Sequence, residues 1–94
     1  MHQNFLVHAP DDAVGVAVRD ISPGPGIRGR VMDGGGDVEL DVVSEVPLGH
    51  KIALRDIAAG ERVIKYGVAI GRATQDIRTG EHVHVHNLKG ERWA

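Results

Sequence analysis

The chain has 94 residues with 13 glycines, four prolines, no cysteine and a formal net charge of −2. This length makes one small domain that buries roughly 60 to 70 per cent of the surface its unfolded chain exposes, and the lack of cysteine excludes disulfides, a thiol nucleophile and thiolate metal sites. No dense run of Lys or Arg marks a nucleic-acid binder, no apolar run approaches the roughly 18 residues that span a bilayer, and the polar His2-Gln3-Asn4 opens no export signal, so a soluble cytoplasmic protein without membrane or nucleic-acid partners is expected.

In chain order, residues 4–8 form a short apolar run with Phe5, Leu6 and Val7, closed by the turn Ala9-Pro10-Asp11-Asp12. Residues 14–18 alternate as a second strand. Glycines and prolines are too frequent across residues 22–36 for regular structure, apart from a short piece at 27–32, so this reads as the longest loop. Residues 37–46 alternate, with Val38, Leu40 and Val42 on one face and Glu39 and Asp41 on the other. Further apolar runs occupy 50–56 and 62–65. Short strands at this spacing predict an all-β domain with little helix, confined at most to 11–14 or 68–74.

The form Asp-Ile-x-x-Gly occurs at Asp20-Ile21, Asp56-Ile57 and Asp76-Ile77, with Glu61 and Glu81 following the last two glycines. Physically this is a turn: isoleucine anchors in the core, glycine supplies a positive φ, and the acid shapes the turn without doing catalysis. Gly24-Pro25-Gly26-Ile27-Arg28-Gly29 fits the dinucleotide pattern G-x-G-x-x-G, yet it lacks the preceding strand and following helix that the pattern needs, so nucleotide binding is set aside.

His82-Val83-His84-Val85-His86-Asn87 places half of the six histidines on alternate residues. In a strand, Val83 and Val85 enter the core while the three imidazoles share the other face, either simply in water or as a metal or proton-transfer cluster. Alternate imidazoles stand about 7 Å apart at about 3.3 Å per residue, so one ion reaches all three only where the strand bends. His50-Lys51 after Gly49, and Lys65-Tyr66-Gly67, are further candidates. A histidine with a lysine can meet an anion, whereas Tyr66 reads as an amphipathic packing residue.

The run Pro47-Leu48-Gly49-His50-Lys51-Ile52-Ala53-Leu54, with Ile64-Lys65-Tyr66-Gly67, Ile70-Gly71, Ala73-Thr74 and Gly80-Glu81-His82-Val83-His84-Val85-His86-Asn87, resembles the small domain of the altronate and galactarate dehydratase family. His8-Ala9-Pro10-Asp11-Asp12 is similar to the family's opening, and Leu88-Lys89 with Arg92-Trp93 to the tail of its separately encoded small subunits. The resemblance covers nearly the whole chain and is loose over residues 22–36.

It implies a SAF-type β-clip over residues 1–94, with 22–36 as a Gly/Pro-rich loop and 88–94 as a C-terminal tail. It also implies a complete small subunit, inactive without a large catalytic subunit, that removes water from a sugar acid by α-proton abstraction and β-elimination. Two alternatives stay open: the α subunit of sulfolactate sulfo-lyase, which expels sulfite and gives pyruvate, and a non-catalytic assembly or lid module. The implied cofactor is a divalent metal, Fe(2+), shared with or held by the large subunit. By the same resemblance His50 and Lys51 are catalytic, Lys51, His86 and Asn87 meet a small hydroxy-acid substrate, and His84 and His86 hold metal. Exposed strand edges make a homo-oligomer expected.

Overall fold

Alternation of aliphatic and polar residues builds nine strands within residues 3–90, the part of the chain that the computed structural model describes. They are β1 (Phe5–Val7), β2 (Val14–Ala17), β3 (Gly24–Val31), β4 (Asp37–Val42), β5 (Lys51–Ala53), β6 (Arg62–Lys65), β7 (Val68–Ala73), β8 (His82–Val83) and β9 (Leu88–Gly90). No helix occurs among the described residues, and hence none that is long and apolar enough to cross a membrane. One sheet has six strands in the order β4-β3-β1-β2-β5-β8 and the other has three in the order β6-β7-β9; every pairing is antiparallel except β1 with β3.

Two apolar clusters hold these sheets. Phe5, Val7, Ile21, Leu40, Val46 and Ile52 belong to the first, and Val14, Ile57, Val63, Ile77 and Val83 to the second. Each such side chain taken fully out of water contributes about 1.5–3 kcal/mol, so a chain poor in aromatics builds its core from many small increments. In β4 the expected alternation is present, with Leu40 and Val42 buried between exposed Asp37, Glu39 and Asp41.

Residues 22–36 are not a loop. Their centre is β3, eight residues long, lying between β1 and β4. The glycines and proline that argued against a strand serve it. A Cβ at Gly29 would collide with the Phe5 ring, so glycine there is the condition for packing Phe5 in the first cluster. Pro25 and Gly26 (φ 64°) lie where the β3–β4 register shifts between Gly24 and Ile27, and the Gly26 N–H donates to the Asp41 carboxylate at 3.2 Å. A bulge is where a strand tolerates a missing donor and a left-handed residue.

Two other expectations change. Within residues 68–74, where the sequence allows a helical turn, Val68–Ala73 form β7, and residues 88–90 of the expected tail pair with β7 as β9; Arg92 and Trp93 lie outside the described residues. The residues at 11–14 complete a turn and open β2, with no helix.

The Asp-Ile-x-x-Gly segments are reciprocal turn pairs. Ile57 and Ile77 exchange two backbone hydrogen bonds of 2.8 Å, while the Asp56 carboxylate accepts the Thr79 N–H and the Asp76 carboxylate accepts the Ala59 N–H. Glu61 and Glu81 accept from the Ala58 and Arg78 amides of their own turns. The segment at Asp20 follows the same plan with a partner that the sequence disguises: Ile21 pairs with Val46, and Asp20 accepts from Leu48 N–H. Glu45-Val46-Pro47-Leu48-Gly49 is therefore a fourth turn of this kind. Gly49, Gly60 and Gly80 share φ of 84°, 84° and 85°; Gly24, which begins β3, lacks the expected positive φ.

Candidate functional site

Two of the four turns deliver histidines to one place. Gly49 leads directly into His50 at the entrance to β5, and Gly80-Glu81 leads into His82 at the start of β8. β5 and β8 pair with Ile52 opposite His82 and Lys51 opposite Val83. Ile52 and Val83 are fully buried, and Ser44 Oγ accepts the His82 N–H at 2.9 Å, which fixes where β8 begins.

After Val83 the strand ends, contrary to the reading of 82–87 as one strand. Asn87 imposes the bend. It is fully buried; its Oδ1 accepts the His84 N–H at 2.9 Å and its Nδ2 donates to the His82 carbonyl at 2.8 Å. The N–H groups of Asn87 and Leu88 both donate to the His84 carbonyl. Val85, expected in the core, stands 82 % exposed at the tip of this bend.

The bend lays the His84 ring on His50, with centroids 3.8 Å apart and planes 14° from parallel. His50 Nδ1 and His82 Nε2 are 2.7 Å apart. One ring nitrogen from each of His50, His82 and His84 lies within 4.8 Å of the others. His86 meets the group through the His82 ring, at 5.0 Å between centroids.

Two imidazole nitrogens at 2.7 Å cannot both carry a proton on the facing atom. They share one, or they face a common cation. The electrostatics favour the neutral ligand form: burial holds His82 below the usual imidazole range, followed by the charges of His86, His50 and His84. His84 is lowered as well, by desolvation first and then by His50, Lys51 and His86. Lys51 is thus close enough to the cluster to be felt there.

The structure therefore gathers His50, Lys51 and His84 from among the expected site residues. It moves the weight of the candidate metal group from His84 with His86 to His50, His82 and His84, because the bend swings His84 back over His50. Asn87, expected at the substrate, has both side-chain polar atoms engaged inside the protein and holds the turn instead. His82, which the resemblance does not assign to the site, joins the group. The signal was there, since three imidazoles can converge only through a bend, and Asn is a residue that makes bends.

His50, Lys51, His82 and His84 are each half-buried. Depressions of about 240 Å³ and 360 Å³ lie over the two turn pairs, lined by residues such as Asp20 and Glu45 in one and Asp56 and Asp76 in the other, and no histidine lines either.

Short strands joined by tight turns, with no helix among the described residues, are consistent with a small β module of the SAF type. Residues 3–91 match the altronate/galactarate dehydratase SAF domain, and the chain belongs to that family. It is 51 % identical over 94 residues to the (2R)-sulfolactate sulfo-lyase subunit alpha of Chromohalobacter salexigens, covering 99 % of this chain and all of that one. It is also 39 % identical over 87 residues to the altronate dehydratase of Bacillus subtilis and 41 % over 87 residues to that of Escherichia coli, in each case covering 93 % of this chain and 16 % of the relative. By name these relatives are a sulfo-lyase subunit and two dehydratases.

The residues present fit a divalent metal. A tetrahedral ion with metal–nitrogen bonds near 2.0–2.1 Å needs nitrogens about 3.3 Å apart, so the 2.7 Å pair must open by roughly half an ångström, within reach of side-chain rotation. An all-imidazole set suits iron, zinc, copper or nickel and leaves positions free for a substrate.

Proposed function

We propose that this chain is the small component of a two-component lyase acting on a hydroxy acid, and that His50, His82, His84 and Lys51 form its share of the active site. The observation that carries the reading is the convergence of three half-buried imidazoles, two of them favouring the neutral form, near a half-buried lysine. Leu48 and Val85, which flank these histidines in the chain, are 61 % and 82 % exposed. Large exposed apolar side chains around a polar centre suit a surface that a second polypeptide covers.

The reaction removes a proton from the carbon that bears both hydroxyl and carboxylate. The electron pair of that C–H bond becomes a C=C bond as the group on the next carbon leaves, and the enol becomes a ketone. A neutral imidazole of the trio accepts this proton. Lys51 holds the substrate carboxylate as a fixed positive charge, which also opposes the charge that builds on it as the proton departs. A protonated imidazole assists departure of the leaving group. If instead a divalent metal, with Fe(2+) the ion the family implies, is held by all three imidazoles, it would act as a Lewis acid toward the substrate oxygens and the large component would supply the base.

The leaving group is sulfite in the reading we place first, with sulfolactate as substrate and pyruvate as product. End-to-end similarity to a separately encoded alpha subunit supports it. Water leaving from a sugar acid such as altronate or galactarate is the second reading, supported by the two altronate dehydratases. Reconstitution with the large component, assayed on (2R)-sulfolactate, altronate and galactarate, separates the two. Single His→Ala changes at 50, 82 and 84 should lower turnover by about 10²–10⁴-fold, the range for losing an acid–base group. Turnover and metal content within twofold of the parent in all three variants would show instead a module that only assembles or covers the site.

A further inference from the structure

At the other end of β2 from the histidine trio lies a second polar cluster that the lyase reading does not use. Tyr66 and Gly67 make the two-residue turn between β6 and β7 with φ of 54° and 74°. Both central residues of such a turn need positive φ, which Asn and Gly adopt readily and an aromatic residue does not. Tyr66 is held there by Asp12, a carboxylate only 5 % exposed, whose Oδ1 accepts the Tyr66 N–H at 2.6 Å and whose Oδ2 accepts the Ala9 N–H at 3.2 Å. The preceding residue, Lys65, places its Nζ 2.8 Å from His8 Nδ1, and the His8 and Tyr66 rings are 5.1 Å apart.

If the turn alone mattered, a small residue would serve it with less strain. What the tyrosine adds is a phenol, 64 % exposed as a whole residue, beside an ammonium and an imidazole. Lys65 donates to His8 Nδ1, so the neutral His8 ring carries its proton on Nε2. Lys65, His8 and Tyr66 thus bring a full positive charge and two further donors together. The charge of Asp12 behind them is engaged by two amides. Asp33 adjoins His8 through its N–H to the His8 carbonyl, Asp11 follows His8 by three residues in the chain, and their charges oppose a second negative charge.

We propose that His8, Lys65 and Tyr66 form a binding site for a single carboxylate group, separate from the histidine trio. Its source is either a free hydroxy acid or an Asp or Glu side chain of the large component. The full chain is titrated with lactate and, separately, inorganic phosphate while its backbone amides are followed by NMR; assembly with the large component is titrated in parallel. Saturable shifts at Tyr66 and Gly67 with lactate in the range of about 1–10 mM, weakened at least tenfold in Lys65→Met and in Tyr66→Phe but unchanged in Lys89→Met, establish the site for a free acid. Absence of saturation with lactate, together with at least tenfold weaker assembly in Lys65→Met that Lys65→Arg restores, establishes a carboxylate of the partner. Linear shifts with unaltered assembly overturn the proposal, as does phosphate binding as tightly as lactate. The first arm needs no partner, so it stands whatever becomes of the lyase reading.

Discussion

Asn87 connects stability to the site more directly than any histidine does. Replacing it with Ala removes the hydrogen bonds of 2.9 Å from His84 N–H and 2.8 Å to the His82 carbonyl and empties a fully buried position. Each bond contributes about 0.5–1.5 kcal/mol net, and the small cavity adds to that, so about 2–4 kcal/mol is expected in all. At about 4–8 °C per kcal/mol for a domain of this size, the midpoint of thermal unfolding falls by roughly 8–32 °C. Asn87→Asp keeps the shape and the acceptor, yet it sets a carboxylate oxygen against the His82 carbonyl and buries a charge, so it should be no milder.

The loss should not stop at stability. With the bend released, His84 no longer stacks on His50, and affinity for Zn(2+) or Co(2+) titrated into the chain falls at least tenfold. His86→Ala is the control, since His86 only touches the His82 ring. Urea unfolding followed by circular dichroism gives the first quantity and calorimetric metal titration the second. An Asn87→Ala protein within 0.5 kcal/mol of the parent, or one that is destabilised but binds metal as the parent does, would refute the assignment of Asn87 as the residue that builds the site.

Gly60→Ala and Gly80→Ala separate backbone strain from collision, because the two glycines share nearly the same φ. A Cβ at Gly60 meets open space, whereas at Gly80 it would overlap the Asp41 carbonyl oxygen. Chemical denaturation should show about 1–2 kcal/mol lost for the first, from left-handed strain alone, and about 1–3 kcal/mol more for the second; equal losses would count against the placement of the turn. Acid should weaken the metal-free chain. His82 and His84 have folded pKa values below their ordinary 6.5, so the unfolded state binds more protons, and their contribution is complete above that pH and is lost as pH falls toward the lowered values. Unfolding midpoints measured from pH 8 to 5 should decline less steeply in His82→Gln and His84→Gln than in the parent. Leu48→Asp and Val85→Asp, both at exposed positions, should leave the isolated chain as stable as before but weaken assembly with the large component by tenfold or more, read by sedimentation.

Much of the fold is legible in the sequence where one face of a strand is buried. Val38, Leu40 and Val42 in β4 announce themselves by period two. β3 is hidden because its strand needs glycine at 29 for the Phe5 ring and a bulge at Pro25-Gly26, and these residues are the ones that also mark loops. The fourth turn is hidden for another reason: Glu45-Val46 replaces Asp-Ile by similar residues, and only its pairing with Ile21 shows the equivalence. At the site, the type and number of the histidines are plain from the sequence, but their grouping is not. It depends on the Asn87 bend, which turns a one-faced row into a cluster around a residue 32 positions away.

The position of that cluster follows from the turn pairs. Ile21 and Val46 pack in the first apolar cluster, Ile57 and Ile77 in the second, and each pair closes by reciprocal backbone bonds. His50 leaves the Val46 turn and His82 leaves the Ile77 turn, one from each cluster, and they meet where β5 and β8 pair. β8 is only two residues long, and the Gly80 and Ala53 amides extend the seam by donating to the Ala53 and Glu81 carbonyls, so a bond between side chains adds to this ladder. An ion held by His50, His82 and His84 would therefore fasten the two halves as well as serve chemistry, because a ligand that binds only the folded state stabilises it. Metal should raise the unfolding midpoint of the parent chain and leave that of His50→Ala unmoved. A rise of the same size in both would place the ion elsewhere.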